Sequence, residues 1–107
     1  MAHQWSDVKK LIGRKIATLD RHKPFEILTV IEQTVIIKVH STDQERSIAR
    51  EEVEGALKAL DTLGQISRSD IQEEYSPRNP AYVAAILAAL PDVKYTVRPI
   101  VLRLARS

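Results

Sequence analysis

Residues 64–90, GQISRSDIQEEYSPRNPAYVAAILAAL, constrain the fold more than any other stretch, because they contain two helix starts with a physical cause and the longest apolar segment. Ser67 and Asp70 have the S-x-x-D spacing of a capping box ahead of Ile71, which predicts a short helix over residues 67–74. Asn79 precedes Pro80, so it disfavours helical backbone and suits an N-cap, while Pro80 is preorganised for the first helical position. A second helix is expected over residues 80–90, stopped by Pro91 and Asp92. Val83, Ile86, Leu87 and Leu90 form one apolar stripe on it, and Ala81, Ala84, Ala85 and Ala88 form another. A helix apolar all round belongs in a core or against a partner.

Upstream, Val53, Ala56, Leu57 and Leu60 recur at helical spacing, predicting a helix over residues 50–63 that Gly64 terminates. Glu51, Glu52 and Glu54 fall in its first turn, where the helix dipole favours negative charge, and this explains them better than a metal or acid–base cluster. Glu54 and Lys58 are spaced for a helical i,i+4 pair. Before this helix, FEILTVIEQTVIIKVH reads as a hairpin turning near Glu32 and Gln33. Phe25, Ile27 and Ile31 on one arm, and Val35, Ile37 and Val39 on the other, are expected to face the core. Residues 46–48 are expected to return as a short strand. At the N-terminus, Ser6 is the expected cap of a short helix burying Val8, Leu11 and Ile12, followed by a strand around Ile16, Ala17 and Leu19. The C-terminal VKYTVRPIVLRL alternates as a strand whose phase changes at Pro99, implying a bend, bulge or edge position.

These elements predict an α+β fold in which residues 1–107 form one domain. Three to four helices pack on a small antiparallel sheet made from the hairpin and the C-terminal strand, and the C-terminal half is helix-turn-helix or winged-helix-like. A chain of 107 residues offers too little material for a second core, since domains most often hold roughly 100–150 residues. The absence of cysteine excludes disulfides and thiolate metal sites and fits a reducing, cytoplasmic setting. No apolar run approaches the roughly 20 residues of a membrane span, and the N-terminus lacks a signal peptide's hydrophobic region. The net charge of +2 is unevenly placed: residues 1–24 carry six Lys/Arg against two Asp, the middle of the chain is acidic, and the C-terminal part is basic again. Such a distribution permits a polyanion on one face, although a charge run such as Lys9, Lys10, Arg14 and Lys15 also serves simply as a solvated face.

No Ser or Cys stands at a recognisable spacing from a base, and no Gly-rich phosphate loop is present among three glycines. His3, His22 and His40 are scattered and read as surface residues. A non-enzymatic protein without cofactor, metal or small-molecule substrate is the resulting expectation. SPRNPAY is the strongest binding candidate: a helix N-terminus with Arg78, Asn79 and Tyr82 beside it suits a phosphate. Arg68, at the preceding helix start, offers a second phosphate contact. If residues 67–74 form the support helix, residues 80–90 occupy the recognition position, and a strand bearing Lys94, Arg98 and Arg103 becomes a wing. The helix lacks the Arg, Asn or Gln side chains a base reader needs past Tyr82, which favours backbone contacts.

I-x-T-L near the start, the β-rich middle, G-x-I-S-R-S-D-I and N-P-A-Y-V-A-A-I-L-A-A-L-P together resemble winged-helix-type modules attached to restriction and other prokaryotic defence nucleases, mainly over residues 50–104. The resemblance implies a non-catalytic nucleic-acid-binding module with DNA as partner. The alanine face departs from that pattern. It leaves open an interaction or oligomerisation domain, whose alanine face or two-sided hairpin receives another protein chain or a second copy.

Overall fold

The alternation of Phe25, Ile27, Val35, Ile37 and Val39 places all five side chains inward on an antiparallel meander in the computed structural model, which describes residues 3–105. Helix α1 (Trp5–Lys9) leads into β1 (Lys15–Ala17), β2 (Pro24–Val30), β3 (Thr34–Val39) and β4 (Gln44–Ala49), paired in the order β1-β2-β3-β4. Ile27 opposes Ile37 but Thr29 opposes Ile36, so Leu28 is an extra residue and the inward phase slips by one. Val30 is buried in consequence, whereas Ile31, expected in the core, is 50% exposed. At the N-terminus Gln4 rather than Ser6 precedes the helix: the Asp7 carboxylate accepts from the Gln4 N–H at 2.8 Å. The helix ends at Lys9, and Ile12 lies past it in an exposed turn instead of on its apolar face.

Helix α2 (Arg50–Leu63) has the bounds its apolar stripe predicts, and Val53, Ala56, Leu57 and Leu60 are buried. It ends at Gly64, whose φ of 83° places it in the left-handed region where a side chain would be strained. Glu54 pairs with Arg50, one turn back, at 3.1 Å; the expected Lys58 partner is not the one chosen. Arg50 also donates to the Glu32 carbonyl at 2.9 Å and lies 4.8 Å from the centroid of the Trp5 ring. The Glu32 carbonyl and the Trp5 ring thus hold the guanidinium where Glu54 is within reach.

After α2 come β5 (Gln65–Ser67), α3 (Arg68–Asp70), α4 (Pro80–Ala88), β6 (Val93–Thr96) and β7 (Val101–Leu104). The capping box forms: Ser67 Oγ accepts from Asp70 N–H at 3.1 Å and the Asp70 carboxylate accepts from Ser67 N–H at 3.3 Å. The expected regular helix over 67–74 widens after Asp70 into a π turn, Ile71–Tyr75, closed by the Ser76 N–H to the Ile71 carbonyl at 2.7 Å. The wider turn carries the Tyr75 ring onto Gly55 of α2, so close that a Cβ there would lie 2.9 Å from it. A helix-interior glycine, normally unfavourable by about 0.5–1 kcal/mol, is what this approach requires.

The structure is α+β, but the C-terminal segment does not join the hairpin's sheet. It forms two strands of a second, three-stranded sheet in the order β5-β7-β6, with Gln65 opposite Arg103 and Lys94 opposite Arg103 on the other side. Pro99, expected to bend one strand, lies in the turn between two, preceded by a cis peptide bond. Helix α4 stops at Ala88, two residues short of the expected end, and Leu90 closes a final turn onto the Leu87 carbonyl. It packs on α2, the π turn, β1, β6 and β7, and Val83, Ala84, Ala85, Ile86 and Leu87 are buried. Helix α4 contacts β1, but Ala81 and Ala84 line an open cavity and Ala81 and Ala88 are only half-buried, so the alanine face is partly covered by the same chain.

The N-terminus is clasped by a histidine. Asp61 on α2 accepts from the His3 backbone N–H at 2.7 Å and meets Nδ1 at 2.8 Å, while Nε2 lies 2.7 Å from the Pro91 carbonyl. Both ring nitrogens face acceptors, so the imidazolium, with two N–H donors, satisfies the site. Burial acts to lower the His3 pKa, but the hydrogen bonds to Asp61 and Pro91 and the charges of Asp61 and Asp7 outweigh it and raise it above the ordinary 6.5. His3 is therefore not the surface residue its isolation in sequence implies; His22 and His40 are exposed. Because the folded-state value is raised, the stabilisation is fully present below about pH 6.5 and is lost as pH rises through the folded pKa. Thermal melts at pH 5.5 and 8.5 should show a drop at the higher pH that His3→Ala largely removes.

Candidate nucleic-acid interface

The SPRNP corner is built around a carboxylate. Because Glu52 stands at the third position of α2, it reaches back to accept the Ala49 N–H at 2.9 Å, the capping geometry of a helix start. Its other oxygen accepts from Ser76 Oγ at 2.7 Å and from Asn79 Nδ2 at 3.4 Å. The Asn79 amide oxygen accepts from Arg46 of β4 at 3.0 Å, and the Arg46 guanidinium lies 5.3 Å from the Tyr82 ring centroid. Tyr82 in turn meets Phe25 of β2 edge to face, with centroids 5.2 Å apart. Asn79 is only 6% exposed and makes no side-chain cap; its backbone carbonyl alone accepts the first bond of α4, from Val83. Its polar groups are taken by Glu52 and Arg46, and a phosphate brought to this corner would meet the Glu52 charge.

A different place gathers free cations. A cavity of about 350 Å³ opens between the turn after β1 and the first turn of α4; Asp20, Arg21, Lys23 and Arg68 stand around it, over Leu19, Ala84 and Ile100. A neighbouring cavity of about 520 Å³ extends from Asp20 and Arg68 to His22 and to Val97, Arg98 and Pro99 at the tip of the β6–β7 hairpin. The two share Leu19, Asp20, Arg68 and Ile100 and so form one groove. Local chemistry sets each wall. Thr18 Oγ1 accepts the Lys23 N–H at 2.9 Å and closes the turn, the capping box positions Arg68 at the start of α3, and Thr96 Oγ1 donates to the Pro99 carbonyl at 3.2 Å to hold the hairpin tip. Among the described residues, none of Arg21, Lys23, Arg68 and Arg98 makes an ion pair. Four cations around a single carboxylate give the groove a positive potential, concentrated by its low-dielectric floor.

Of the residues singled out from sequence, Arg68 and Arg98 meet in this groove, and Tyr82 reaches its edge while its ring is engaged by Phe25 and Arg46. Arg78 is exposed but lines neither cavity. Lys94 and Arg103 are exposed cross-strand partners on the second sheet, on the face opposite to that of the adjoining pair Tyr95 and buried Leu102. Arg21 and Lys23 are two of the six basic residues in positions 1–24, and nothing else in the sequence singles them out. Among the described residues there is no group of three or more His, Cys, Asp or Glu able to hold a metal ion, and no helix is long and apolar enough to cross a membrane. Comparison with protein-family models, with curated proteins and with solved structures yields no match.

Removing the Glu52 carboxylate leaves the Ala49 N–H, Ser76 and Asn79 without their acceptor. Glu52→Ala should therefore cost about 2–3 kcal/mol in urea unfolding, and Glu52→Gln, which keeps one acceptor oxygen, should cost less.

Proposed function

We propose that this chain is a non-catalytic nucleic-acid-binding module of winged-helix type that holds DNA through its phosphates. The observation that carries the reading is the groove in which Arg21, Lys23, Arg68 and Arg98 converge without acidic partners. The connectivity supports it: helix α2, strand β5, helices α3 and α4, then the β6–β7 hairpin, with β5 and β6 flanking β7, follow the helix–strand–helix–helix–hairpin order of a winged helix. In this arrangement α4 stands in the recognition position and β6–β7 is the wing. Because α4 is enclosed, base readout along it has no exposed side chains to use, and the contacts fall to the turn after β1, the start of α3 and the wing tip.

A second reading, a protein-interaction module, draws on Tyr95 and Val97, which are 46% and 42% exposed on the wing. Salt separates the two readings. Fluorescence anisotropy on a random-sequence duplex should give a log–log salt slope of about −3 to −4, as expected for four phosphate contacts or slightly fewer. Arg68→Ala and Arg98→Ala should each make it shallower by about 0.9, and Arg78→Ala should change it less. Absent or salt-independent binding, together with a concentration-dependent dimer in sedimentation, overturns the DNA reading in favour of the second.

A further inference from the structure

Resting on that reading, we propose that the 350 Å³ cavity at the inner end of the groove receives one unpaired nucleotide, so that the module prefers DNA with a single-stranded segment over a blunt duplex. The lining has the two chemistries a nucleotide needs. Leu19, Ala84 and Ile100 give an apolar floor for the face of a base, and Arg21, Lys23 and Arg68 stand where its phosphate would lie.

Asp20 is the telling residue. A carboxylate in a groove meant only for phosphates would weaken it by repulsion. Among the described residues Asp20 makes neither an ion pair nor a side-chain hydrogen bond that would give it a structural role. Its oxygens are acceptors only, which matches the exocyclic amine of cytosine, adenine or guanine better than thymine, whose single N3–H donor is flanked by two carbonyl oxygens that repel a carboxylate. Shape argues in the same direction. A duplex is entered by a convex element that fits its major groove, and the helix in that position, α4, has Val83 to Leu87 buried and leaves only Ala81, Tyr82 and Ala88 half-exposed. The open surface is instead concave, bounded by the turn after β1 on one side and the β6–β7 tip on the other, and it suits a strand whose bases are free to turn inward.

The test titrates three fluorescein-labelled DNA probes over the same series of salt concentrations: a blunt duplex, the same duplex with a three-nucleotide cytosine overhang, and the same duplex with a thymine overhang. The cytosine overhang should bind about tenfold more tightly than the blunt end, as expected for burying one base, with the thymine overhang between them. Asp20→Asn should remove the difference between cytosine and thymine. Ala81→Leu, at a half-buried position lining the cavity, should bring the overhang-to-blunt ratio towards one, with a thermal melt confirming that the variant folds. Equal affinity for all three probes with a normal salt slope overturns the nucleotide cavity and leaves phosphate binding standing. No salt-dependent binding to any probe overturns both.

Discussion

Helix α4 has no polar side chain between Tyr82 and its end, and such a helix has to bury most of its surface: Val83 to Leu87 are buried, and Ala81, Tyr82 and Ala88 are half-buried. That requirement explains why this chain has two sheets rather than one. The second sheet, α2 and the π turn pack on the helix, β1 and Phe25 of β2 contact it as well, and Ala81, Tyr82 and Ala84 line the cavity. The N-terminal meander is consequently part of the same core, and its buried residues form a single cluster with those of α4.

The junction between the halves is polar, and its polarity decides where the chain's charges are free. Glu52, Arg46 and Asn79 satisfy one another across α2, β4 and the start of α4, while Glu54 is held by Arg50 and Asp61 by His3. Much of the acidic middle of the sequence is therefore used internally. The cations of the turn after β1, of α3 and of the hairpin tip have no such partners, so a chain with a net charge of only +2 still presents one groove of concentrated positive potential.

The parts of this architecture that could be read from sequence are those set by residues close together in the chain. Helix α2 has one stripe and one terminating glycine; the Ser67–Asp70 box spans four residues; Pro80 can only begin a helix. Where several outcomes satisfy the same local pattern, reading failed. Leu28, Val30 and Ile36 are apolar at positions that unbroken alternation would put opposite to Phe25 and Ile37, so the strand pattern does not specify its phase and the bulge at Leu28, which turns Val30 inward, goes unseen. Strand β5 is three residues long, and its pairing with β7 depends on the helices between them. Asn79 has the chemistry of a cap, but Arg46, 33 residues away, and Glu52, 27 residues away, claim its side chain once the chain is folded. The groove was half legible for the same reason: Arg68 and Arg98 stand out near a helix start and a proline, whereas Arg21 and Lys23 matter only because the meander brings their turn to the same place.

Enclosing α4 also moves the source of any selectivity. A winged helix whose recognition helix is exposed can discriminate bases along several turns, each bidentate contact contributing about 1–3 kcal/mol. Under the proposed function, α4 is mostly committed to the core, and binding energy would come from cations spread over three separate elements, which respond to the spacing of phosphates and not to sequence. What discrimination remains has to arise where the groove departs from uniform positive charge. The one carboxylate in it, Asp20, lines both cavities, as does Arg68, and under the proposed function a preference among bases would pass through it.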